Sequence, residues 1–417
     1  MAKRALARGF TVAVSMATWF VVAGAAAAPA TAGGKPAPLE LRVTNTLALA
    51  RHDEVLSLPL AEVLRRRPQW RSRGLAVRVA GAAALLPVQR YASDGGDMPD
   101  RLLVLLDIAP RASETLEVFP APAGAKAAPD PLYARLVPER DDDFAWENEQ
   151  VTYRIYGKAL EATGQVFPGI DVWSKRPPRH VIDAWYRRDA EGLRRGNPAL
   201  SYHVDHGDGL DSYAVGHTPG DGGTAAWLDG RPVYSRNAAR VHITAMGPVR
   251  LRFEVDYAPW RVGHAQVAEH KVITLDAGAH LNRQAVTYRI EGARRLIVAA
   301  GVATHAGAEV VHEGAARIAV WDTPQKPSAG RIATGLLLAP REIARYAVAG
   351  GAAWALFDVT DGGTIRFASG AGWSKGDMPD FRHWQRCLRD AQLRWSHPLR
   401  VRWPARHDAS RTSTVSE

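Results

Sequence analysis

The chain has 417 residues, 46% of them apolar and 23% charged, values that exclude wholesale disorder and any collagen-like or coiled-coil architecture. Its 1 cysteine, Cys387, rules out an intramolecular disulfide and any cysteine-based zinc or iron–sulfur site. Lys and Arg number 53 against 43 Asp and Glu, and the net charge of +10 favours an anionic partner, either nucleic acid or acidic polysaccharide.

The chain opens on Lys3, Arg4 and Arg8, then an apolar run from Phe10 to Ala28. The small-x-small sites Ala28-Pro29-Ala30 and Ala30-Thr31-Ala32 follow. This layout predicts a secretory signal peptide over residues 1–32 and a periplasmic or secreted mature protein. Removing those three basic residues takes the charge from +10 to +7. No later stretch is apolar for long enough to span a bilayer, so no membrane association is expected after cleavage. Motifs of nucleic-acid recognition are absent, which leaves an acidic glycan as the expected partner.

Past the leader, short alternating or apolar runs bounded by Gly, Pro and Asp predict strands. They cover Leu39–Thr44, Leu75–Val79, Leu102–Ile108, Leu116–Val118, Val151–Tyr156, Val249–Tyr257, Val267–Leu275, Asn282–Ile290 and Arg295–Ala300. Arg250-Leu251-Arg252-Phe253-Glu254-Val255-Asp256 puts Leu, Phe and Val on one face and charges on the other. That period of two belongs to an antiparallel strand with one wet face. Helical spacing is confined to Leu60–Arg67, Val181–Arg188 and Trp384–Trp395. The fold class expected is all-β: a large antiparallel β-sandwich of the galactose-mutarotase-like supersandwich kind, with a few short helices. One unit over 39–400 is expected, with sub-blocks 39–120 and 132–400 flanking the Pro/Ala/Gly-rich stretch Pro120–Pro131. The polar tail 407–417 is expected to fray.

Polar chemistry concentrates between Phe144 and Gly223. Trp146-Glu147-Asn148 leads into Val151-Thr152-Tyr153-Arg154-Ile155-Tyr156-Gly157. Next comes Gly169-Ile170-Asp171-Val172-Trp173-Ser174-Lys175-Arg176, then Tyr202-His203-Val204-Asp205-His206-Gly207-Asp208-Gly209-Leu210-Asp211-Ser212-Tyr213. Gly-rich connections over a rigid sheet are where binding and catalytic residues tend to sit. These segments, with Gly95-Gly96-Asp97 upstream and Gly247-Pro248-Val249-Arg250 and Gly370-Ala371-Gly372-Trp373-Ser374-Lys375 downstream, resemble an exported bacterial family known as domain of unknown function 4861. The resemblance runs from about Leu39 to Val401 and departs at Met98-Pro99. Members often lie beside, or are fused to, unsaturated glucuronyl hydrolases. The resemblance therefore implies a substrate containing uronic acid.

Elimination from a uronate needs a grip on the carboxylate, a base for C5–H and an acid for the departing oxygen. Arg154 is the expected grip, through paired hydrogen bonds, with Asn148 as an added amide donor. Lys175 is a candidate base if burial lowers its proton affinity, and His203 is a candidate base or acid. Tyr213 is the expected proton donor, and Trp173 offers a flat face to a sugar. His206, Glu147 and Asp211 complete the binding set, Asp211 as an orienter. Each has a plainer rival. Arg154 also fits a structural ion pair, Trp146 and Trp173 fit core, and Lys175 beside Arg176 and Arg179 fits a solvated basic edge.

No cofactor is expected. His203, Asp205, His206 and Glu147 are the nearest approach to a divalent-metal set, but in a strand His206 points away from His203 and Asp205. The expected activity is a carbon–oxygen lyase or dehydratase on acidic oligosaccharides. The alternatives are a glycoside hydrolase using two of Glu147, Asp171, Asp205 and Asp211, or a glycan-binding protein without turnover. On this reading Lys175→Ala and His203→Ala each abolish turnover and barely move the melting temperature.

Overall fold

The computed structural model describes residues 37–124, 130–323 and 326–405. The leader expected over 1–32 and the tail over 407–417 lie outside the described residues. The alternating runs fold as antiparallel strands, as their period of two requires. Leu39–Thr44 and Leu75–Val79 keep their expected limits. The later strands outrun theirs and become the 13-residue Arg250–Val262, the 12-residue Ala265–Asp276 and the 11-residue Leu281–Glu291.

Two small sheets form the first block. Arg400–Arg402, Leu39–Thr44, Ser113–Pro120 and Leu75–Val79 make one; Arg51–Pro59, Arg101–Ile108 and Val88–Tyr91 make the other. Leu41, Val43, Leu58, Val104, Leu116 and Trp70 close the core between them.

The rest is a larger sandwich. Its spine is an eight-stranded sheet in the order Ala238–Ala245, Arg250–Val262, Ala265–Asp276, Leu281–Glu291, Thr364–Trp373, Ile332–Leu338, Arg317–Asp322, Glu309–Glu313. One face of this sheet is covered by two five-stranded sheets. The first runs Gly209–Leu210, Asp171–Lys175, Thr152–Ile155, Asp143–Glu147, Tyr133–Val137. The second runs Arg231–Val233, Asp221–Leu228, Leu296–Ala303, Ala352–Val359, Arg345–Ala349. Trp146, Tyr153, Leu251, Phe253, Val255 and Ile273 fill the space under the first. Val286, Tyr288, Val298, Phe357 and Phe367 fill the space under the second. Leu251, Phe253 and Val255 are all at 0% exposure, as their alternation demands. Arg252 departs from the pattern: it is buried on the other face, where Thr244, Glu254 and the Asp94 carbonyl take its guanidinium hydrogens.

Three of the four α-helices among the described residues fall where the 3.6-residue spacing put them. Leu60–Arg66 joins the first block, Ile182–Arg195 covers the first five-stranded sheet, and Phe381–Ser396 packs on the back of the spine through Trp384 and Leu388. No helix among the described residues is long and apolar enough to cross a membrane.

Candidate functional site

The dense region folds into one layer, and strand register explains its organisation. In the first five-stranded sheet Phe144, Trp146, Tyr153, Ile155 and Val172 point into the sandwich. The alternate positions Asp143, Ala145, Glu147, Thr152, Arg154, Asp171, Trp173 and Lys175 therefore point the other way, under helix Ile182–Arg195. Arg154 sits directly across from Ala145 on one side and Asp171 on the other. Thr152 sits across from Glu147 and Trp173. The layer thus has an arginine end and a lysine end with an aromatic block between them. Trp173 stacks on Trp185 at 5.2 Å and on Tyr202 at 5.3 Å, and it is 1% exposed. It is core, and not the sugar platform expected of it.

At the arginine end, Nη2 of Arg154 donates to Asp171 Oδ2 at 2.5 Å and to Asp211 Oδ2 at 3.0 Å. Asp143 Oδ2 lies 3.7 Å from Nη1. The guanidinium also faces Tyr156 and Tyr202. Arg154 is therefore engaged by carboxylates of the protein itself and is not available to grip a substrate. Burial raises Asp211 well above the carboxylate range and the charge of Asp171 adds to this; burial also raises Asp171, against the pull of Arg154. Burial lifts Asp143 to about 6, opposed by Arg154 and Arg140.

This last shift has a measurable consequence. Between 3.8 and about 6 the folded chain holds the Asp143 proton more tightly than the unfolded chain. Stability from this group is present at low pH and is lost as pH rises through that window. Asp143→Asn removes the dependence. Urea unfolding from acid to neutral pH should give a flatter curve for the variant, with a gain at neutrality of at most about 3 kcal/mol.

His203 stands at the rim of this cluster. Its side chain is 55% exposed, its ring lies 4.6 Å from that of Tyr202, and Nδ1 is 2.9 Å from the Asp211 carbonyl and 3.7 Å from Asp211 Oδ2. Nδ1–H donation to that carbonyl leaves the Nε2 lone pair outward, with no partner among the described residues. The imidazole is thus oriented from behind and open in front. Two cations reach its neighbours. Arg140 donates to Tyr202 Oη at 2.8 Å, and Lys326 Nζ is 3.4 Å from the His203 carbonyl. Neither makes an ion pair with a carboxylate among the described residues.

The lysine end is sealed. Lys175 Nζ, at 0% side-chain exposure, donates to Glu147 Oε2 at 2.8 Å and to the carbonyls of Asn148 and Arg179 at 2.5 Å each. Burial pushes its pKa down and Glu147 pulls it back. All three ammonium hydrogens are committed, so no base faces a substrate. Glu147 also accepts from Thr152 Oγ1 and from the amides of Val181 and Ile182, which tethers the start of helix Ile182–Arg195. Asn148 is another strut: its amide donates to the carbonyls of Asp276 and Ala279. Tyr213 lies in the sandwich interior, edge-on to His305 at 5.5 Å, at 6% exposure.

His206 is exposed, with Nε2 3.3 Å from the Ser201 carbonyl. Asp205 pairs with Arg176 through two hydrogen bonds of 2.9 Å, which hold its carboxyl down at about 2. With Asp205 given to Arg176 and Glu147 to Lys175, the residues weighed for a metal do not converge. Among the described residues no group of three or more His, Cys, Asp or Glu is arranged to hold an ion. Of the nine residues singled out, Arg154, Asp211 and His203 meet, with the buried Trp173 ring against the Arg154 guanidinium at 5.4 Å; Lys175, Glu147 and Asn148 form a second node; Tyr213 and His206 lie elsewhere.

Residues 43–401 match the model of a family described as Domain of unknown function (DUF4861). The chain belongs to the DUF4861 family. A curated relative, "Uncharacterized protein P7" of Formosa agariphila, is 28% identical over 291 residues, covering 68% of this chain and 71% of the relative. Among solved structures, an alpha-mannosidase from Enterococcus faecalis V583 aligns with a TM-score of 0.49 at 10% identity, over 88% of this chain and 46% of that one. A glycosyl hydrolase family 38 protein from Enterococcus faecalis aligns at 0.48 and 10%, over 89% and 48%. The DUF4861 chain thus spans about half the length of these solved structures. Arg140 and Asp143 of the DUF4861 cluster were not among the expected site residues; they lie in the charge run Glu139-Arg140-Asp141-Asp142-Asp143, which resembles a solvated surface. The alternation of Asp143 with Phe144 and of Ala145 with Trp146 was the available signal.

Proposed function

We propose that this DUF4861 protein is an exported carbohydrate-active enzyme that acts on uronate-containing oligosaccharides by elimination, as a lyase or dehydratase. The observation that carries the reading is the exposed His203 imidazole, fixed through Nδ1 by Asp211 at the edge of a buried carboxylate cluster. Perturbed carboxylates behind an oriented, accessible histidine are the usual physical mark of an acid–base site. In the proposed step Nε2 takes the C5 proton and a C4=C5 double bond forms. The C4–O bond breaks, and the imidazolium returns its proton to the departing oxygen. Arg140 and Lys326 supply positive charge for the uronate carboxylate, the task first given to Arg154.

Hydrolysis is the weaker reading, because the Arg154 guanidinium fills the space between Asp171 and Asp211 where a hydrolase places its sugar. A binder without turnover loses its platforms, since Trp146 and Trp173 are buried. Incubation with saturated and unsaturated uronate oligosaccharides, followed by absorbance of the conjugated double bond and by product mass, tests the proposal. Bond cleavage without added water, or loss of one water, is expected. Products that gain one water reject elimination in favour of hydrolysis.

A further inference from the structure

A second polar site lies on the back of the eight-stranded spine, away from His203. A cavity of about 100 Å3 opens between the first block, the spine and helix Phe381–Ser396, and its lining includes Glu54, His280, Arg283, Cys387, Arg394 and Trp395. At roughly 30 Å3 per water, this volume holds a few waters or one compact polyatomic group, but not a sugar ring.

The charges around it do not cancel. Asp276 is spent on Arg250 through hydrogen bonds of 2.5 and 2.8 Å, Glu54 pairs with Arg51 at 2.9 Å, and His280 Nε2 is 2.5 Å from Asp377 Oδ2. Arg394 is only loosely held, 4.0 Å from Glu54 and 3.5 Å from the His52 carbonyl. Asp53, packed against Gly278, is the remaining carboxylate on the rim. Arg283 has neither a hydrogen bond nor an ion pair among the described residues. Its exposed guanidinium lies over the Trp395 ring at 5.3 Å, which leaves its N–H donors unspent. A planar fork held in this way matches the paired oxygens of an oxyanion.

We infer that this cavity binds an oxyanion, a carboxylate or sulfate group, on Arg283 with Arg394 beside it. The group is either a free ion or the acidic substituent of a saccharide whose ring stays outside. Asn148 acts here as a positioning residue, because its bonds to Asp276 and Ala279 brace the hairpin that carries His280 and Arg283. The inference does not depend on the elimination reading.

The sole cysteine of the chain gives a local probe, since Cys387 lines the cavity. The full mature protein is alkylated with iodoacetamide and followed by intact mass, with sodium sulfate, sodium glucuronate or a uronate oligosaccharide present. Sodium chloride at matched ionic strength is the control. A bound oxyanion should slow Cys387 alkylation roughly tenfold at about ten times its Kd and raise the Tm in parallel. Arg283→Gln should keep the parent Tm without ligand and lose both effects, while Arg283→Lys keeps part of them. Protection by sulfate identifies a free ion as sufficient; protection by the oligosaccharide alone identifies the saccharide source. The site is refuted if none of the three protects, if chloride protects equally, or if Arg283→Gln is still protected. Neither readout involves turnover, so the two readings fail separately.

Discussion

Lys175→Ala is expected to cost about 3–5 kcal/mol of stability, the range for removing one partner of a buried ion pair. Its ammonium bridges Glu147 and two carbonyls with no exposed side-chain surface. Alanine would leave Glu147 charged in a dry layer and the two carbonyls without a donor. Glu147 keeps its bonds from Val181, Ile182 and Thr152, so the layer should loosen around the helix start before the sandwich itself fails. Urea unfolding should show a lower midpoint at an unchanged slope, and pairing Lys175→Met with Glu147→Gln should restore much of the loss. This reverses the expectation drawn from sequence, in which the lysine was dispensable for folding and essential for chemistry. A variant with the parental midpoint and no turnover would reinstate it as a base.

His203→Ala is expected to do the opposite. The side chain is more than half exposed and makes one bond, to a carbonyl, so stability should stay within about 0.5 kcal/mol of the parent. Turnover should fall by about 10²- to 10⁴-fold, the usual contribution of a positioned acid–base group. Asp211→Asn provides the companion test: the orienting bond to the backbone carbonyl survives, so a changed pH profile of kcat reports the carboxylate charge 3.7 Å from Nδ1. Full activity in His203→Ala would remove the proposed mechanism.

The fold was legible because packing writes itself into period. Leu251, Phe253 and Val255 alternate with polar neighbours along a strand that has one face in the core, and their burial follows. The site was only half legible, because a polar side chain at an inward position looks the same in sequence whether it meets a substrate or another side chain. Arg154, Lys175 and Glu147 occupy regular alternate positions in short strands. What decides their role is the helix Ile182–Arg195 laid across them, and that is a tertiary fact. Trp173 was ambiguous for the same reason, its platform becoming a stack once Trp185 and Tyr202 arrived. His203 was the better guess because the glycines at 207 and 209 mark a connection that a helix does not cover.

The pairing of Leu39–Thr44 with Arg400–Arg402 ties the first described strand to the last. Vectorial synthesis leaves that early strand with a bare edge until Arg400–Arg402 has been made, which makes the small sheet a late product of folding and a hazard for pairing with neighbouring chains. Because Leu39–Thr44 and Arg400–Arg402 are sheet neighbours, joining them directly with a short linker and reopening the backbone at an exposed hairpin should give a circular permutant that closes this sheet early.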